Sequence, residues 1–420
     1  MFVIIPLTFS IDIATYIFNY ARNSVKNKDR LLYRISHRGS VGTNRGKESM
    51  ANLDSCERTV SVIVPAYNEE ESIERTVRAL YDQTLRPKSV IVIDDCSTDG
   101  TPEVCLRLLS ELKNNGFIYI RREKNSGKAS NINYVVEHFA DELGEITLIN
   151  DSDAIPHKTC IEILAKGFTS DNIAAVTPYG YTTAPENWLA RALHYGNSWN
   201  NRIFRFRKRA QSLRGGVAVV CGACTAYRTK VLQSLPLREL TKTEDTDYTW
   251  LLQENKYKVV YDDDAVVHSS DLGTAKGLLR QWQRWYSGSL QSLCVHGRQI
   301  FKARSLCWTT VLPALIESLP YAFGISTLPI IIVVNLAMPD GNIPYFGMAY
   351  VKGFLIADFL FTTIPTLIIS PKYLRRLPEI YLYKYVACTL ALYVYARVTY
   401  EKITGQQNKW SNTWARTYAG

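Results

Sequence analysis

The sequence lacks several features that mark specialised classes of protein. Its nine cysteines are scattered and odd in number, so no disulfide framework is visible and a reducing compartment is expected. Only 16 residues are proline and 21% are charged, which excludes a collagen-like or disordered chain. The mean hydropathy of −0.11 excludes a chain that lies mostly within a membrane. No phosphate-binding loop of the GxxxxGK[ST] type occurs.

The chain does have the apolar content of a large core and a strongly positive charge. Apolar residues make up 46% of 420 residues, a length that accommodates about two to three domains. The formal net charge of +10 indicates a polyanionic partner, an anionic membrane surface or a phosphate-bearing ligand.

Short β-branched runs alternate with helical patterns between residues 59 and 300. The runs lie at Val60–Val64, Val90–Ile93, Ile118–Ile120, Thr147–Ile149 and Ala174–Thr177. The helical patterns between them lie at Glu70–Gln83, Pro102–Asn115, Lys128–Phe139 and His157–Phe168. Strand–helix alternation with continuously apolar strands predicts an α/β fold whose mostly parallel sheet is buried on both faces.

Apolar stretches flank this region. Residues 1–20 precede a basic stretch, an order that favours an uncleaved anchor, with an amphipathic helix as the alternative. Stretches at about 308–336, 345–369 and 380–397 are long enough to cross a bilayer, with a soluble helical domain as the alternative. We therefore predict an anchor and basic linker (1–58), a globular domain (59–300), transmembrane helices (301–400) and a tail (401–420). Charges within the helices would line a polar path or pair with each other.

Carboxylates follow two strands of the predicted sheet. Asp94 and Asp95 end the second run, and Asp151 and Asp153 follow the fourth. In a parallel sheet both sets lie at one rim, where ligands bind. A single pair could be a helix N-cap, but two sets at equivalent strand ends are harder to explain that way. The spacing suits Mg²⁺ or Mn²⁺, which share carboxylates with phosphate oxygens, and so predicts a phosphorylated donor.

Two further segments carry candidate residues. Lys128 opens a helix and would reach a phosphate there or remain solvated. Gln281, Arg284 and Trp285 share one helical face, which suits a sugar that stacks on the indole or, alternatively, an aromatic belt beside a membrane.

The combined motifs resemble the membrane-integrated, inverting family 2 glycosyltransferases, which include hyaluronan, chitin-oligosaccharide, poly-N-acetylglucosamine and cellulose synthases. Six matching pieces occur in the family's order: PAYNE at 65–69, DDCSTDG at 94–100, GKASN at 127–131, DSD at 151–153, TED at 243–245 and QxxRW at 281–285. Each piece alone is weak, whereas six in order are specific. The resemblance implies a GT-A nucleotide-sugar domain with interfacial and transmembrane helices.

The resemblance also implies roles for the matching residues. Catalysis falls to Asp245 as the base, with Glu244 and Arg284. Nucleotide-sugar binding falls to Ala66, Tyr67, Asn68, Glu69, Asp94, Asp95, Lys128, Asp151, Gln281 and Arg284. Acceptor binding falls to Cys221, Gly222 and Trp285. The metal, Mg²⁺ or Mn²⁺, falls to Asp153, Asp151 and His268, with a purely structural histidine as the alternative for the last.

The implied function is transfer of a hexose or N-acetylhexosamine from a nucleotide diphosphate sugar, UDP-linked by family default, to a growing polysaccharide. The alternatives are addition of one sugar to a lipid acceptor and a catalytically silent scaffold. The expected location is the plasma membrane with the catalytic domain in the cytoplasm, and no nucleic acid is expected as a partner. The tail resembles the family's closing signature in composition but not in spacing, and that likeness implies a donor-covering role for Trp410 or Arg416. The basic run at Arg202, Arg205, Arg207, Lys208 and Arg209 is expected near lipid headgroups.

Overall fold

The structure is a computed structural model that describes residues 58–270, 273–303, 306, 319–337 and 343–404. Within these residues, eight strands form one sheet in the order β3-β2-β1-β4-β7-β6-β8-β5. They are β1 (Val60–Ala66), β2 (Ser89–Asp94), β3 (Phe117–Arg121), β4 (Ile146–Asn150), β5 (Ile155–Pro156), β6 (Ile173–Thr183), β7 (Cys224–Arg228) and β8 (Lys258–Ser270). The pairs β1–β2, β1–β4, β2–β3 and β6–β8 are parallel.

The helices pack on both faces of the sheet and beyond its edge. In the described residues they are α1 (Ile73–Tyr81), α2 (Thr101–Leu112), α3 (Lys128–His138), α4 (Cys160–Lys166), α5 (Trp188–Leu213), α6 (Thr229–Ser234), α7 (Glu244–Glu254), α8 (Ala275–His296), α9 (Gln299–Lys302), α10 (Leu319–Ala337), α11 (Ile343–Ile369) and α12 (Leu377–Thr404). Short 3₁₀ turns lie at Lys113–Asn115, Ala140–Glu142 and Pro371–Arg376. Every predicted strand and helix between residues 60 and 177 overlaps an observed one, which confirms the predicted α/β fold.

The two faces of the sheet bury separate apolar clusters. Val62 and Val64 of β1 pack on one face with side chains of α1, α2 and α4. Ile63, between them, packs on the other face with side chains of α3, α6 and α7. All three are fully buried, and each such side chain stabilises the fold by about 1.5–3 kcal/mol. Burial on both sides is why these strands are continuously apolar rather than alternating.

The second half of the sheet departs from simple strand–helix alternation. Strand β7 inserts antiparallel between β4 and β6, and β5 pairs antiparallel with β8. The turn that precedes β7 therefore lies at the same edge of the sheet as the carboxyl end of β4, and Asp151 N donates to Ala223 O at 2.8 Å. This insertion places residues 221–223 beside the predicted carboxylate rim.

The C-terminal helices pack on α5 and α8. Trp282 of α8 is buried edge-to-face against Tyr383 of α12, with 5.2 Å between ring centroids. Lys384 of α12 forms a buried ion pair with Asp358 of α11, and its Nζ also lies 2.6 Å from Thr362 Oγ1. The alternative that charges within these helices pair with each other is thus confirmed for Lys384 and Asp358.

The predicted membrane crossing is not supported by the helices of the described residues. None of them is both long and apolar enough to span a bilayer. The proposed anchor at residues 1–57, the start of the first C-terminal stretch at 307–318 and the tail at 405–420, with Trp410 and Arg416, lie outside the described residues. The predicted domain boundaries stay predictions.

Candidate active site

The parallel strands bring the predicted motif segments to one edge of the sheet. Ala66, at the end of β1, pairs with Asp94 at the end of β2, and its carbonyl accepts a 2.8 Å hydrogen bond from Asp95 N. Asn68 adopts a left-handed backbone conformation (φ 56°), and its Oδ1 accepts from Thr98 N at 2.8 Å. The half-buried Tyr67 follows Ala66 in the same turn. The PAYNE and DDCSTDG segments are therefore joined by their own hydrogen bonds before any ligand binds.

Asp94 and Asp95 anchor neighbouring backbone. Asp94 is fully buried and accepts from Ser97 N at 2.8 Å and from Tyr119 Oη at 2.9 Å. Asp95 accepts from the backbone N–H groups of Ser126 and Gly127 at 2.7 and 2.9 Å, which fixes the loop that leads into α3. Both carboxylates thus shape the rim, and direct contact of Asp95 with a nucleoside stays a prediction.

Lys128 connects three of the motif segments. Its Nζ lies 2.6 Å from Asp151 Oδ1 and 3.1 Å from Glu244 Oε1, and it donates to Gly222 O at 3.2 Å. Burial opposes the charged form, but the two carboxylates raise the pKa of Lys128 and hold it protonated. The structure thus favours a paired Lys128 over a solvated one, and its contact with a phosphate stays a prediction.

Asp245 lies in the first turn of α7, next to Glu244. Its Oδ1 accepts from Thr246 N at 2.7 Å, and a Cβ built on Gly222 would lie 2.7 Å from its Oδ2. Any side chain at position 222 would therefore push the Asp245 carboxylate out of its present position, and only glycine leaves room for it. Burial and the neighbouring Glu244 carboxylate raise the pKa of Asp245 to about 6. A carboxylate with that pKa is suited to act as a general base near neutral pH.

Helix α8 presents its predicted residues beside this carboxylate pair. The positive charge of Arg284 favours the ionised form of both Glu244 and Asp245. For Asp245 it only partly offsets the effects of burial and of Glu244, which raise the pKa. Arg284 Nε is buried and has no hydrogen-bond partner among the described residues, so it is a donor available to a ligand. Gln281 is half-buried and Trp285 is 39% exposed, so stacking of the indole on a ligand and a place in an aromatic belt both stay predictions.

The predicted metal ligands are only partly brought together. The surface of Asp153 is exposed, but the protein around its carboxylate partly desolvates it. This desolvation and the neighbouring Asp151 carboxylate raise the pKa of Asp153. Glu69 also has a raised pKa, through its burial and the charge of Asp153. The oxygen atoms of Asp151 and Asp153 are hard donors that fit Mg²⁺ or Mn²⁺.

His268 fits a metal less well than the two aspartates do. Its Nε2 forms a short hydrogen bond with Thr183 Oγ1, and its ring packs 4.9 Å from that of Tyr181. Across the described part of the chain, one group of three acidic, cysteine or histidine residues has ligand atoms within 4.8 Å of one another, and it is Asp262, Asp263 and Asp264. The structure thus favours the structural alternative for His268.

Two arginines of the basic run on α5 have an ion-pair partner within the fold. Arg205 and Arg209, one helical turn apart, both pair with Asp263 of β8, at 2.6 Å for Arg205 Nη2. Asp263 thus accounts for the charge of this pair, and a position of the basic run near lipid headgroups stays a prediction. Lys208 faces the site instead, and its charge interacts with Cys221 and Asp245. The spacing of arginines at i and i+4 was the available signal, but nothing in the sequence pointed to β8 as their partner.

Glu239 is a further residue that the motifs did not indicate. Its Oε1 accepts from Ser130 N at 3.0 Å and lies against Gly127, whose φ of 88° requires glycine. Glu239 therefore supports the turn that presents Lys128. A lone glutamate in the loop after α6 carries no sequence signal of this contact.

The sequence is similar to those of known glycosyltransferases. Residues 61–235 match the model of glycosyl transferase family 2. The poly-β-1,6-N-acetyl-D-glucosamine synthase of Staphylococcus aureus (strain COL) is 25% identical over 251 residues, which cover 59% of this chain and 58% of the synthase. The uncharacterized glycosyltransferase YaiP of Escherichia coli (strain K12) is 26% identical over 58% of this chain and 59% of its own. The chain thus matches little more than half the length of these relatives.

Solved structures give more distant similarities. A mannosyltransferase of Pyrobaculum calidifontis, in complex with GDP-Man and Mn²⁺, has a TM-score of 0.48 and 18% identity, and the match covers 86% of this chain and 99% of that one. S. aureus TarS 1–349 in complex with UDP-GlcNAc has a TM-score of 0.43 and 17% identity, over 83% and 92%. The family match covers the segments from β1 to α6, so this part of the chain is similar to glycosyl transferase family 2.

Proposed function

We propose that this chain is a membrane-associated, inverting glycosyltransferase that takes a hexose or N-acetylhexosamine from a nucleotide diphosphate sugar. The observation that carries the proposal is the position of Asp245. Its carboxylate lies against Gly222 and beside Glu244, and Lys128 joins Glu244 to Asp151 at the end of β4. A base of pKa about 6 thus lies next to the strand-end carboxylates where a nucleotide sugar would bind.

The proposed reaction is a single in-line displacement at the anomeric carbon. The acceptor hydroxyl oxygen forms a bond to that carbon while the bond from the carbon to the diphosphate oxygen breaks. The hydroxyl proton passes to Asp245, and the nucleoside diphosphate leaves with the bonding electron pair. Attack from the face opposite the leaving group inverts the anomeric configuration. Arg284, with its unpartnered Nε, offsets the charge that develops on the departing diphosphate.

A divalent cation fits the carboxylates of this rim. Asp153 and Asp151 would hold Mg²⁺ or Mn²⁺, which would contribute positive charge to the donor diphosphate. His268 is engaged by Thr183, so we do not assign it to the metal.

We further propose a UDP-linked donor and a growing polysaccharide as the acceptor. The printed activity of the S. aureus relative, poly-β-1,6-N-acetyl-D-glucosamine synthesis, supports this choice. Transfer of one sugar to a lipid is the second candidate. The same base and arginine serve either acceptor, so product length distinguishes the two.

Association with a bilayer, with the catalytic domain on the cytoplasmic side, belongs to the same proposal. Helices α10 and α11 expose large apolar side chains that water solvates poorly, among them Phe323, Ile330, Val333, Ile356 and Phe359 at 51–64% exposure. Contact with lipid would remove these apolar side chains from water. Recovery of the full chain in the soluble fraction of a cell lysate without detergent would contradict it.

The test is a panel of radiolabelled nucleotide sugars incubated with the purified full chain in detergent, with Mg²⁺, Mn²⁺ or EDTA. We expect transfer from a UDP-sugar, dependence on the added metal and a ladder of products on sizing. A single addition to lipid would select the second candidate. Absence of transfer and of donor hydrolysis with every sugar would refute the proposal and favour a scaffold.

A further inference from the structure

A second charged cluster lies on α7, beyond the predicted base. Asp247 is fully buried, and Arg238 donates to both its oxygens, from Nε at 3.0 Å and from Nη2 at 2.9 Å. His296, the last residue of α8, lies between Asp247 and Glu254 of α7. No sequence motif indicated this cluster.

The two carboxylates beside His296 favour its protonated form. Its Nε2 lies 3.1 Å from Asp247 Oδ1, and its Nδ1 lies 2.8 Å from Glu254 Oε1. A neutral imidazole has one donor nitrogen and one acceptor nitrogen, so it would direct a lone pair at one of these oxygens. An imidazolium donates from Nε2 to Asp247 and places positive charge beside Glu254 as well. With His296 protonated, the cluster contains two positive and two negative groups.

One of the other groups that face the imidazole opposes a proton on Nε2, because the guanidinium of Arg238 can only donate. Arg238 Nη2 lies 3.2 Å from Nε2, and the ring of Trp250 packs edge-on with 5.5 Å between centroids. Burial and the arginine disfavour the positive charge, and the carboxylates of Asp247 and Glu254 more than offset them. The net result is a raised pKa for His296.

This cluster holds one end of the contact between α7 and α8. At the other end Gly288 of α8 meets Thr243, and a Cβ on that glycine would lie 2.3 Å from Thr243 Oγ1. Asp245 follows Thr243 by two residues, and Arg284 lies one turn before Gly288. The separation of these two helices therefore sets the separation of the base from the arginine.

We propose that protonated His296 is a positioning residue that holds α8 on α7 and so keeps Arg284 in register with Asp245. The proposal rests on the proposed transferase function. When His296 loses its proton, a lone pair faces a carboxylate, and the two helices lose a favourable contact. The rate of transfer should then fall with rising pH. Donor affinity should change less, because Arg284 meets charge that develops as the bond breaks, whereas most of the predicted donor contacts lie on the sheet rim.

The test compares His296→Gln with His138→Gln, a change at an exposed histidine of α3, in the full chain. We expect His296→Gln to lower kcat about tenfold at pH 7, to leave the donor KM within about twofold and to remove the alkaline decline of the wild-type rate. His138→Gln should match the wild type. A His296→Gln protein that is less stable but retains the wild-type kcat and alkaline decline would refute the positioning role.

A measurement without activity separates this proposal from the function itself. A histidine whose folded pKa is raised stabilises the fold fully below its unfolded pKa of about 6.5, and this stabilisation is lost as pH rises through the folded pKa. The Tm difference between wild type and His296→Gln should therefore shrink as pH rises from 6. A constant difference would refute a protonated His296. Absence of transfer by the wild type would refute the function and the positioning role together, whereas the Tm comparison would still decide the protonation state.

Discussion

Two aspartates on one helix have opposite electrostatic environments. Asp245 and Asp247 both lie in the first turn of α7, yet burial and Glu244 raise the pKa of Asp245 to about 6. The pKa of Asp247 is lowered, because His296 and Arg238 more than compensate for its burial. Because the two residues are two positions apart on the helix, their side chains point in different directions. Asp245 points toward the rim of the sheet, and Asp247 points toward His296 of α8.

This comparison separates reactive from structural carboxylates. A carboxylate whose charge is poorly compensated can accept a proton in a reaction, whereas one that is fully compensated stabilises the fold. Residue type and motif do not distinguish them, since both belong to the same TEDTD segment. What distinguishes them is direct pairing, because Arg238 and His296 hydrogen-bond to Asp247, whereas Asp245 lies beside a second carboxylate, that of Glu244.

The largest expected effect is the loss of the base. Asp245→Asn should lower transfer by about 10²–10⁴-fold, since the amide cannot take the acceptor proton. Donor affinity, measured by calorimetry with the nucleotide sugar, should change less than about threefold. Asp171→Asn, at a fully exposed aspartate, is the matched control. Near-normal turnover by Asp245→Asn would assign the base elsewhere.

Asp247→Asn should act on stability instead. Removal of this buried charge leaves Arg238 without its carboxylate and His296 with Glu254 alone, and breaking such a cluster costs about 3–5 kcal/mol. Denaturant unfolding should show this loss for Asp247→Asn and no comparable loss for Asp245→Asn. Equal destabilisation by the two variants would contradict the distinction between the two carboxylates.

Gly222→Ala tests the close approach to Asp245. The added methyl would lie 2.7 Å from Asp245 Oδ2, so the carboxylate must move, and a displacement of about 1 Å can lower the rate about 10²-fold. Gly273→Ala is the control, because its added Cβ meets no atom within 4 Å. Steady-state kinetics of both variants decides whether kcat falls selectively in Gly222→Ala.

The smallest effect is the pH dependence of the wild type. With a pKa of about 6, Asp245 is deprotonated at pH 7 and mostly protonated at pH 5, so the rate should fall about tenfold between them. Stability moves the other way, since the folded state binds this proton more tightly than the unfolded chain, and acid therefore favours folding through this group. An acid limb centred near pH 4 would show an unperturbed carboxylate.

The first half of the sheet could be predicted from sequence because its signals are local. Strands β1 to β4 are continuous apolar runs, and their ends are marked by polar motifs such as Asp94-Asp95. Parallel pairing then places those ends together without knowledge of any long-range contact. The gathering of the PAYNE, DDCSTDG and DSD segments follows from that rule alone.

The other features of the site and of the sheet could not be predicted, because they depend on contacts between segments that are distant in the sequence. Lys128 pairs with Glu244, 116 residues later in the chain, and its helix position gave no sign of that partner. The antiparallel insertion of β7 and the pairing of Arg205 with Asp263 are likewise set by packing of separate elements. His296 escaped notice because a single histidine at a helix end is recognisable only once its carboxylate partners are in view.

The insertion of β7 between β4 and β6 also has a consequence for synthesis on the ribosome. Strand β4 is complete at residue 150, but its antiparallel neighbour begins at residue 224. At about 5–20 residues per second, the nascent chain carries one open edge on β4 for roughly 4–15 seconds. An unpaired apolar strand of this kind is a template for aggregation, so the nascent chain is most exposed to that risk until residue 228 has emerged.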